Sequence, residues 1–229
     1  MPSARERVRA ELTAEIIDAG RRQLAEVGAA ALSLRAVARE VGMVSSAVYR
    51  YFPSRDELLT RLIIDGYDDL GAAAERADVP SAAPLERWLA VCRAVRAWAL
   101  AHPHEYALLY GSPVPGYRAP KDTVPAASRV GVVLGRILGE AARAGLLHGG
   151  AGEQDGERDP GLVSDDAVAV LGGEHPALDE TVRVRALLAW SSLFGTISFE
   201  LFGHFVGSVQ DGDRYFDRAM TDLAALIGF

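Results

Sequence analysis

The side chains best suited to chemistry by type and spacing lie between Ser33 and Leu58, in the stretch SLRAVAREVGMVSSAVYRYFPSRDEL. No catalytic motif accompanies them. What they offer is hydrogen bonding and charge. Ser45 and Ser46 are short hydroxyls at the start of a predicted helix, suited to base edges or phosphates. Ala47 suits a thymine methyl. Tyr49 and Tyr51 carry hydroxyls on rigid rings that reach phosphate oxygens. Arg55 opens the next helix, where the dipole also favours a phosphate. Arg50 suits either a base or the backbone. The plainer alternative for Tyr49, Tyr51 and Phe52 is that they are core aromatics.

The elements that must hold these groups are two short helices meeting at a glycine. The first begins at Ser33, whose hydroxyl is expected to cap the free N–H groups of the first turn. Leu34, Val37, Ala38 and Val41 recur at three- and four-residue spacing and share one buried face. Arg35, Arg39 and Glu40 fall on the wet face. Gly42 supplies the sharp turn. The second helix is predicted from Ser45 to Tyr51, with Val48 and Phe52 inward. It would enter the major groove of DNA. Upstream, Val8, Leu12, Ile16, Leu24 and Val27 form a helical stripe interrupted at Gly20 and Gln23, and Gly28 is a plausible C-cap. Arg5, Arg7 and Arg9 make a basic N-terminal arm, either laid along DNA or frayed.

From about Thr13 to Leu70 the chain resembles the tetracycline-repressor (TetR) family of bacterial regulators. The resemblance rests on the Gly28 exit, the Leu34–Val41 helix, the Gly42 turn, the Tyr49-Arg50-Tyr51-Phe52 step and the Ser54-Arg55-Asp56-Glu57-Leu58 opening. Many members carry a small residue where Ser46-Ala47 stand, His where Tyr51 stands and Lys where Arg55 stands. Ala101–Pro120 resembles a subgroup whose C-terminal domain carries a Trp-His-Gly signature. The corresponding segment here is Trp190–Gly195, with Phe194 where His is expected.

Composition agrees with a regulator of this kind. The chain has 229 residues, 49% of them hydrophobic, and a net charge of −7. Residues 1–61 hold ten arginines against eight acids, a net of about +2, and the remainder carries about −9. A globally acidic protein is a poor nonspecific DNA binder, so docking by one end is expected. The single cysteine, Cys92, excludes an internal disulfide and a cysteine metal cluster. A reducing cytoplasm fits, and no signal peptide opens the chain. Leu187–Val206 is the nearest approach to a membrane span, but Glu200 and His204 argue for a buried soluble helix.

The expected fold is all-α, with about nine helices. A three-helix DNA-binding part (1–54) precedes a larger ligand-binding and dimerisation part (55–229). Predicted helices run over Arg55–Ala77, Leu85–Ala101, Glu105–Tyr110, Ala126–Leu147 and Ala177–Val206, with a last helix around Tyr215–Ile227. A glycine-rich acidic loop over 148–161 and a short helix near Asp165–Leu171 are also expected. On the Ala177–Val206 helix one stripe holds Leu187, Ser191, Phe194, Ser198, Leu201 and Phe205. A second holds Leu188, Gly195, Phe199, Phe202 and Val206. A helix apolar on two faces must be covered twice. A partner helix is expected on one face, with Gly195 and Gly203 permitting close approach. Two reading helices about 34–36 Å apart and a palindromic operator would follow.

Other chemistry is thinly supported. His102 and His104 flank a proline with no third metal ligand. Glu200 and His204 lie four apart and read as a hydrogen-bonding pair rather than a metal or acid–base site. Neither a cofactor motif nor a phosphate loop occurs. Two rival readings stand beside the regulator. One is a small helical enzyme or carrier, which would not need the Ser33–Phe52 unit. The other is an architectural DNA binder, which would lack a cavity. The preferred expectation is a ligand-responsive repressor that binds operator DNA as a homodimer. A small molecule of apolar or aromatic character would enter near Trp98, Tyr106, Tyr110, Phe194, Phe199 and Phe202. Ordinary core packing is the alternative for each of those six.

Overall fold

In a computed structural model, residues 3–148, 162–164, 178 and 180–229 are described. They form nine α-helices and no strand. The helices are α1 (Ala4–Val27), α2 (Leu34–Glu40), α3 (Ser45–Val48), α4 (Arg55–Ala77), α5 (Pro84–Ala101), α6 (Pro103–Tyr110), α7 (Val124–Arg143), α8 (Glu180–Leu201) and α9 (Gly212–Ile227). The expected 148–161 loop beyond His148 and the Asp165–Leu171 helix fall outside the described residues.

Packing divides the chain into two compact units. One comprises Met1–Asp68 with His102–Ala126, and the other Asp69–Ala101 with Ala127–Phe229. The first unit therefore gathers the first half of α4 and all of α6 around the head, beyond the division drawn at residue 54. Its core contains Ile16, Ile17 and Leu24 of α1, Leu34, Val37 and Ala38 of α2, Val48, Phe52, and Leu58, Leu59 and Leu62 of α4. Leu108, Leu109 and Tyr117 pack against that core. Gly20, an apparent gap in the α1 stripe, is a contact point. A Cβ there would lie 3.3 Å from Leu62 Cδ1, so the missing side chain lets α4 approach α1.

The second unit is held by the buried faces of α5 (Trp88, Val91, Val95), α7 (Val130, Val133, Ile137), α8 (Ala189, Leu193, Ile197) and α9 (Phe216, Met220, Ile227). Two charged clusters tie its helices. Arg87 of α5 donates to both carboxylate oxygens of Asp78 at 2.5 and 3.1 Å, and also to Glu140 of α7. Arg136 of α7 donates to Asp78 as well. Burial acts to raise the Asp78 carboxyl, but the hydrogen bonds and charges of Arg87 and Arg136 together hold it below the usual carboxylate range. Arg96 of α5 grips both oxygens of Glu200 at 2.7 and 2.6 Å, and reaches Asp213 of α9 at 2.8 Å.

The end of α8 departs from expectation. The helix stops at Leu201 rather than running to Val206. Gly203 takes φ +78°, its N–H donates to Glu200 O, and His204 N–H donates to Phe199 O. That double closure is a Schellman cap, which needs a left-handed residue at this position. Gly203 therefore turns the chain instead of seating a partner helix. Glu200 and His204 do not form the expected pair. Glu200 is committed to Arg96, while His204 lies past the helix end with its ring 5.0 Å from Phe199.

Candidate nucleic-acid interface

α2 and α3 are joined by the same cap geometry. Gly42 takes φ +69°, Gly42 N–H donates to Arg39 O, and Met43 N–H donates to Ala38 O. A side chain at Gly42 would face a strained backbone, so the turn angle depends on this glycine. The α-helical part of α3 is a single turn, Ser45–Val48. The expected continuation to Tyr51 mixes tighter i→i−3 bonds, from Arg50 N–H to Ala47 O and from Tyr51 N–H to Val48 O, with i→i−4 bonds from Tyr49 N–H to Ser45 O and from Phe52 N–H to Val48 O. Pro53 prevents the turn from running on past Phe52, because a proline biases the residue before it towards extended backbone.

Val48 is fully buried and Phe52 nearly so, and they anchor the turn. Ser46, Tyr49 and Arg50 are exposed; Ser45 and Ala47 are half-buried. Tyr49 has 43% of its surface open, which does not fit a core aromatic. Tyr51 is half-buried and packs on the head's core, with the Arg9 guanidinium 5.4 Å from its ring centre.

Two anchoring roles differ from those expected. Ser33 occupies the N-cap position of α2, but its hydroxyl makes no cap bond. Gln23, a buried residue of α1, instead accepts the Ser33 backbone N–H on Oε1 at 3.2 Å. The polar interruption of the α1 stripe thus satisfies a helix start across the core. Arg55 donates from Nη2 to the carbonyls of Ala29 and Ala30 at 3.0 and 3.2 Å. Its Nε is buried without an acceptor. The guanidinium expected on a phosphate thus ties α4 to the turn that follows α1. Ser54 caps α4, its hydroxyl accepting Glu57 N–H at 3.1 Å.

The N-terminal arginines do not form a loose arm. α1 begins at Ala4 with a full capping box: Ser3 Oγ accepts Glu6 N–H, and Glu6 accepts Ser3 N–H at 2.6 Å. Those bonds hold the Glu6 carboxyl below its usual range. Elsewhere on the head, a shallow cleft is lined by Glu15, Asp18, Arg22, Glu40 and Val41, an acidic setting unsuited to phosphate.

The six aromatic candidates for a small molecule are divided between the two units. Tyr106 and Tyr110 belong to the first unit, their ring centres 5.1 Å apart. Tyr67, which sequence reasoning passed over, stands edge-on to Tyr110 at 5.9 Å. Burial pushes the hydroxyl of each of Tyr67 and Tyr110 up. Tyr67 lies five residues beyond Leu62, off the α4 stripe that periodicity picks out. Trp98 and Phe194 are buried in the second unit, Phe194 against Trp190 at 5.3 Å. Phe199 and Phe202 are 52% and 45% exposed, so each lies on the surface. His102 and His104 are exposed. Among the described residues no group of three or more His, Cys, Asp or Glu side chains is arranged to hold a metal ion. No described helix is long and apolar enough to cross a membrane.

This head, a short reading turn set by a left-handed glycine and backed by helices, defines a helix-turn-helix DNA-binding regulator. Residues 16–62 match the family model "Bacterial regulatory proteins, tetR family", and residues 88–223 match "Tetracyclin repressor-like, C-terminal domain". The chain is 43% identical over 227 residues to the HTH-type transcriptional regulator Rv1816 of Mycobacterium tuberculosis, covering 96% of this chain and 93% of that protein. It is also similar to the crystal structure of the regulatory protein SCO4313, with a TM-score of 0.74, 35% identity, and coverage of 97% and 98% of the two chains. A more distant likeness, in fold alone, is to RolR in complex with the ligand resorcinol, with a TM-score of 0.55, 16% identity, and coverage of 96% and 95%. The chain belongs to the TetR family of DNA-binding transcriptional regulators.

Proposed function

We propose that this regulator is a ligand-responsive repressor that binds a palindromic operator as a homodimer in the cytoplasm, and that it performs no catalysis. The observation that carries the dimer is a set of exposed apolar groups on α8, Leu188 and Phe199, and just beyond its end, Phe202 and Val206. Gly195 lies on the same face of α8 as Leu188 and Phe199, with open space where its side chain would be. Water-facing apolar groups of this kind mark interaction surfaces. Two copies joined through them would present two reading turns to one duplex.

In this reading residues 1–54 dock on DNA and residues 55–229 sense the effector and dimerise. Ser45, Ser46 and Ala47 read bases. Tyr49, Tyr51 and the Ser33 hydroxyl hold phosphates, and Arg50 reaches either. Arg55 acts by positioning the head, with any phosphate contact secondary. The effector has apolar or aromatic character. Its candidate contacts are Trp98, Tyr106, Tyr110 and Phe194, while Phe199 and Phe202 are better used on the dimer surface. The bound resorcinol of RolR supports a small aromatic ligand by fold analogy only. Effector binding releases DNA only if it favours one conformation over the other. We also place the chain in the Trp-His-Gly subgroup, with Phe194 in the His position.

Fluorescence anisotropy with the duplex upstream of the protein's own gene, at stated salt, tests this. Tyr49→Phe should weaken binding on every sequence, and Ser46→Ala should change sequence preference. A monomer in sedimentation that ignores every duplex offered would overturn the reading.

A further inference from the structure

The first turns of α1 carry three arginines that the head's core does not use. Arg5, Arg7 and Arg9 are exposed, and none pairs with a carboxylate among the described residues. Because the capping box makes this segment helical from Ala4, the three are not equivalent. At about 100° per residue, Arg5 and Arg9 lie about 40° apart on one face, and Arg7 points to the opposite side. Arg9 is also the residue whose guanidinium sits over the Tyr51 ring, 5.4 Å from its centre. Tyr51 directly follows Tyr49 and Arg50, two exposed groups of the reading turn. The nearest acid in sequence, Glu6, spends its carboxylate on the Ser3 N–H.

We propose that Arg5 and Arg9 form a rigid phosphate-binding edge, held in register with the reading turn by the Arg9–Tyr51 stack, and that Arg7 takes no part in it. Arg9 is at once a phosphate contact and a positioning residue for Tyr51. A planar guanidinium can stack on a ring and still direct N–H groups outward, which an ammonium cannot do. The proposal rests on the DNA-reading role of α3 and adds to it. It replaces an irregular basic arm, in which all three arginines would count alike, with a helix that selects two.

The test is the salt dependence of DNA binding. A duplex is first selected from a random pool by the wild-type protein, and binding is then measured between 50 and 200 mM salt. Each lost phosphate contact lowers the slope of log K against log salt by about 1. Arg5→Ala and Arg9→Ala should each lower it by about 1, and the double variant by about 2. Arg7→Ala should leave slope and affinity unchanged. Arg9→Lys should keep the slope yet bind roughly threefold more weakly, because the stack on Tyr51 is lost. Melting curves confirm that each variant is folded. Equal slope changes for all three arginines, or none for Arg5 and Arg9, would refute the rigid edge while leaving the α3 assignment standing. Failure of the wild type to select any duplex would overturn both.

Discussion

Gln23 on α1 supplies the acceptor for the Ser33 N–H at the start of α2, a polar bond 3.2 Å long between two helices of the head. Gln23→Leu keeps the packing volume similar but leaves that half-buried N–H unpaired. The expected cost is roughly 1–3 kcal/mol. A lower urea midpoint with DNA affinity falling in parallel would bear this out. An unchanged midpoint would show that another acceptor, or water, reaches the Ser33 N–H.

Asp78 illustrates the opposite case, a buried charge with several partners. Asp78→Asn leaves Arg87 buried beside a neutral amide, and removing one partner of a buried pair costs about 3–5 kcal/mol. The pH dependence has a definite sign. The folded Asp78 carboxyl titrates below its unfolded value of about 3.9. Its stabilisation is therefore complete above that value and disappears as pH falls through the folded one. Thermal melts of wild type and variant should differ most near pH 7 and converge as pH falls through the folded carboxyl's titration, below the ordinary carboxylate range. A gap that stays constant with pH would exclude this carboxylate as the source.

Gly71 on α4 faces Arg129 on α7 so closely that an added Cβ would lie 2.6 Å from Arg129 Cβ. The stem of Arg129, not its flexible tip, is the obstacle. Gly71→Ala should therefore destabilise by about 1–3 kcal/mol through overpacking, despite alanine's better helix propensity. It should also disturb the paired bonds from Arg129 to Glu75 at 2.8 and 2.7 Å. A raised melting temperature would contradict this packing.

Leu188→Asp combined with Phe199→Asp tests the exposed apolar set. Both sites are open to water in the single chain, so the fold should tolerate the charges. Facing like charges in a symmetric interface are costly. If the proposed dimer forms, sedimentation velocity should show the wild type as a dimer and this variant as a monomer at the same concentration. Far-UV circular dichroism should be unchanged. Dimers that persist would move the interface to another surface.

The helices were legible in the sequence wherever apolar residues repeat at three and four. α4 and the buried faces of α2, α5 and α7 follow that pattern. The end of α8 was not legible, because Phe205 and Val206 continue the apolar spacing past Gly203. Periodicity reports which residues are apolar; it does not report that one glycine adopts a left-handed angle. The reading turn was legible for the same reason as α2, since Val48 and Phe52 had to point inward. Gln23 and Arg55 were harder. Their partners lie 10 and 25–26 residues away, and a side chain bonding to a distant backbone leaves no spacing signal. The Arg96–Glu200 clasp spans 104 residues and was equally hidden.

The brevity of α3 limits how much information the molecule can extract from a genome. One helical turn offers enough side chains for about three base pairs, so two heads paired as proposed would specify about six. A six-letter word recurs by chance about once in four thousand positions, whereas a chromosome offers about a million competing addresses or more. The shortfall has to be met by the mechanics of the double helix: its groove width, and how readily the spacer between the two words twists or bends. Genes under this regulator should therefore share a pliable spacer as consistently as they share the letters on either side.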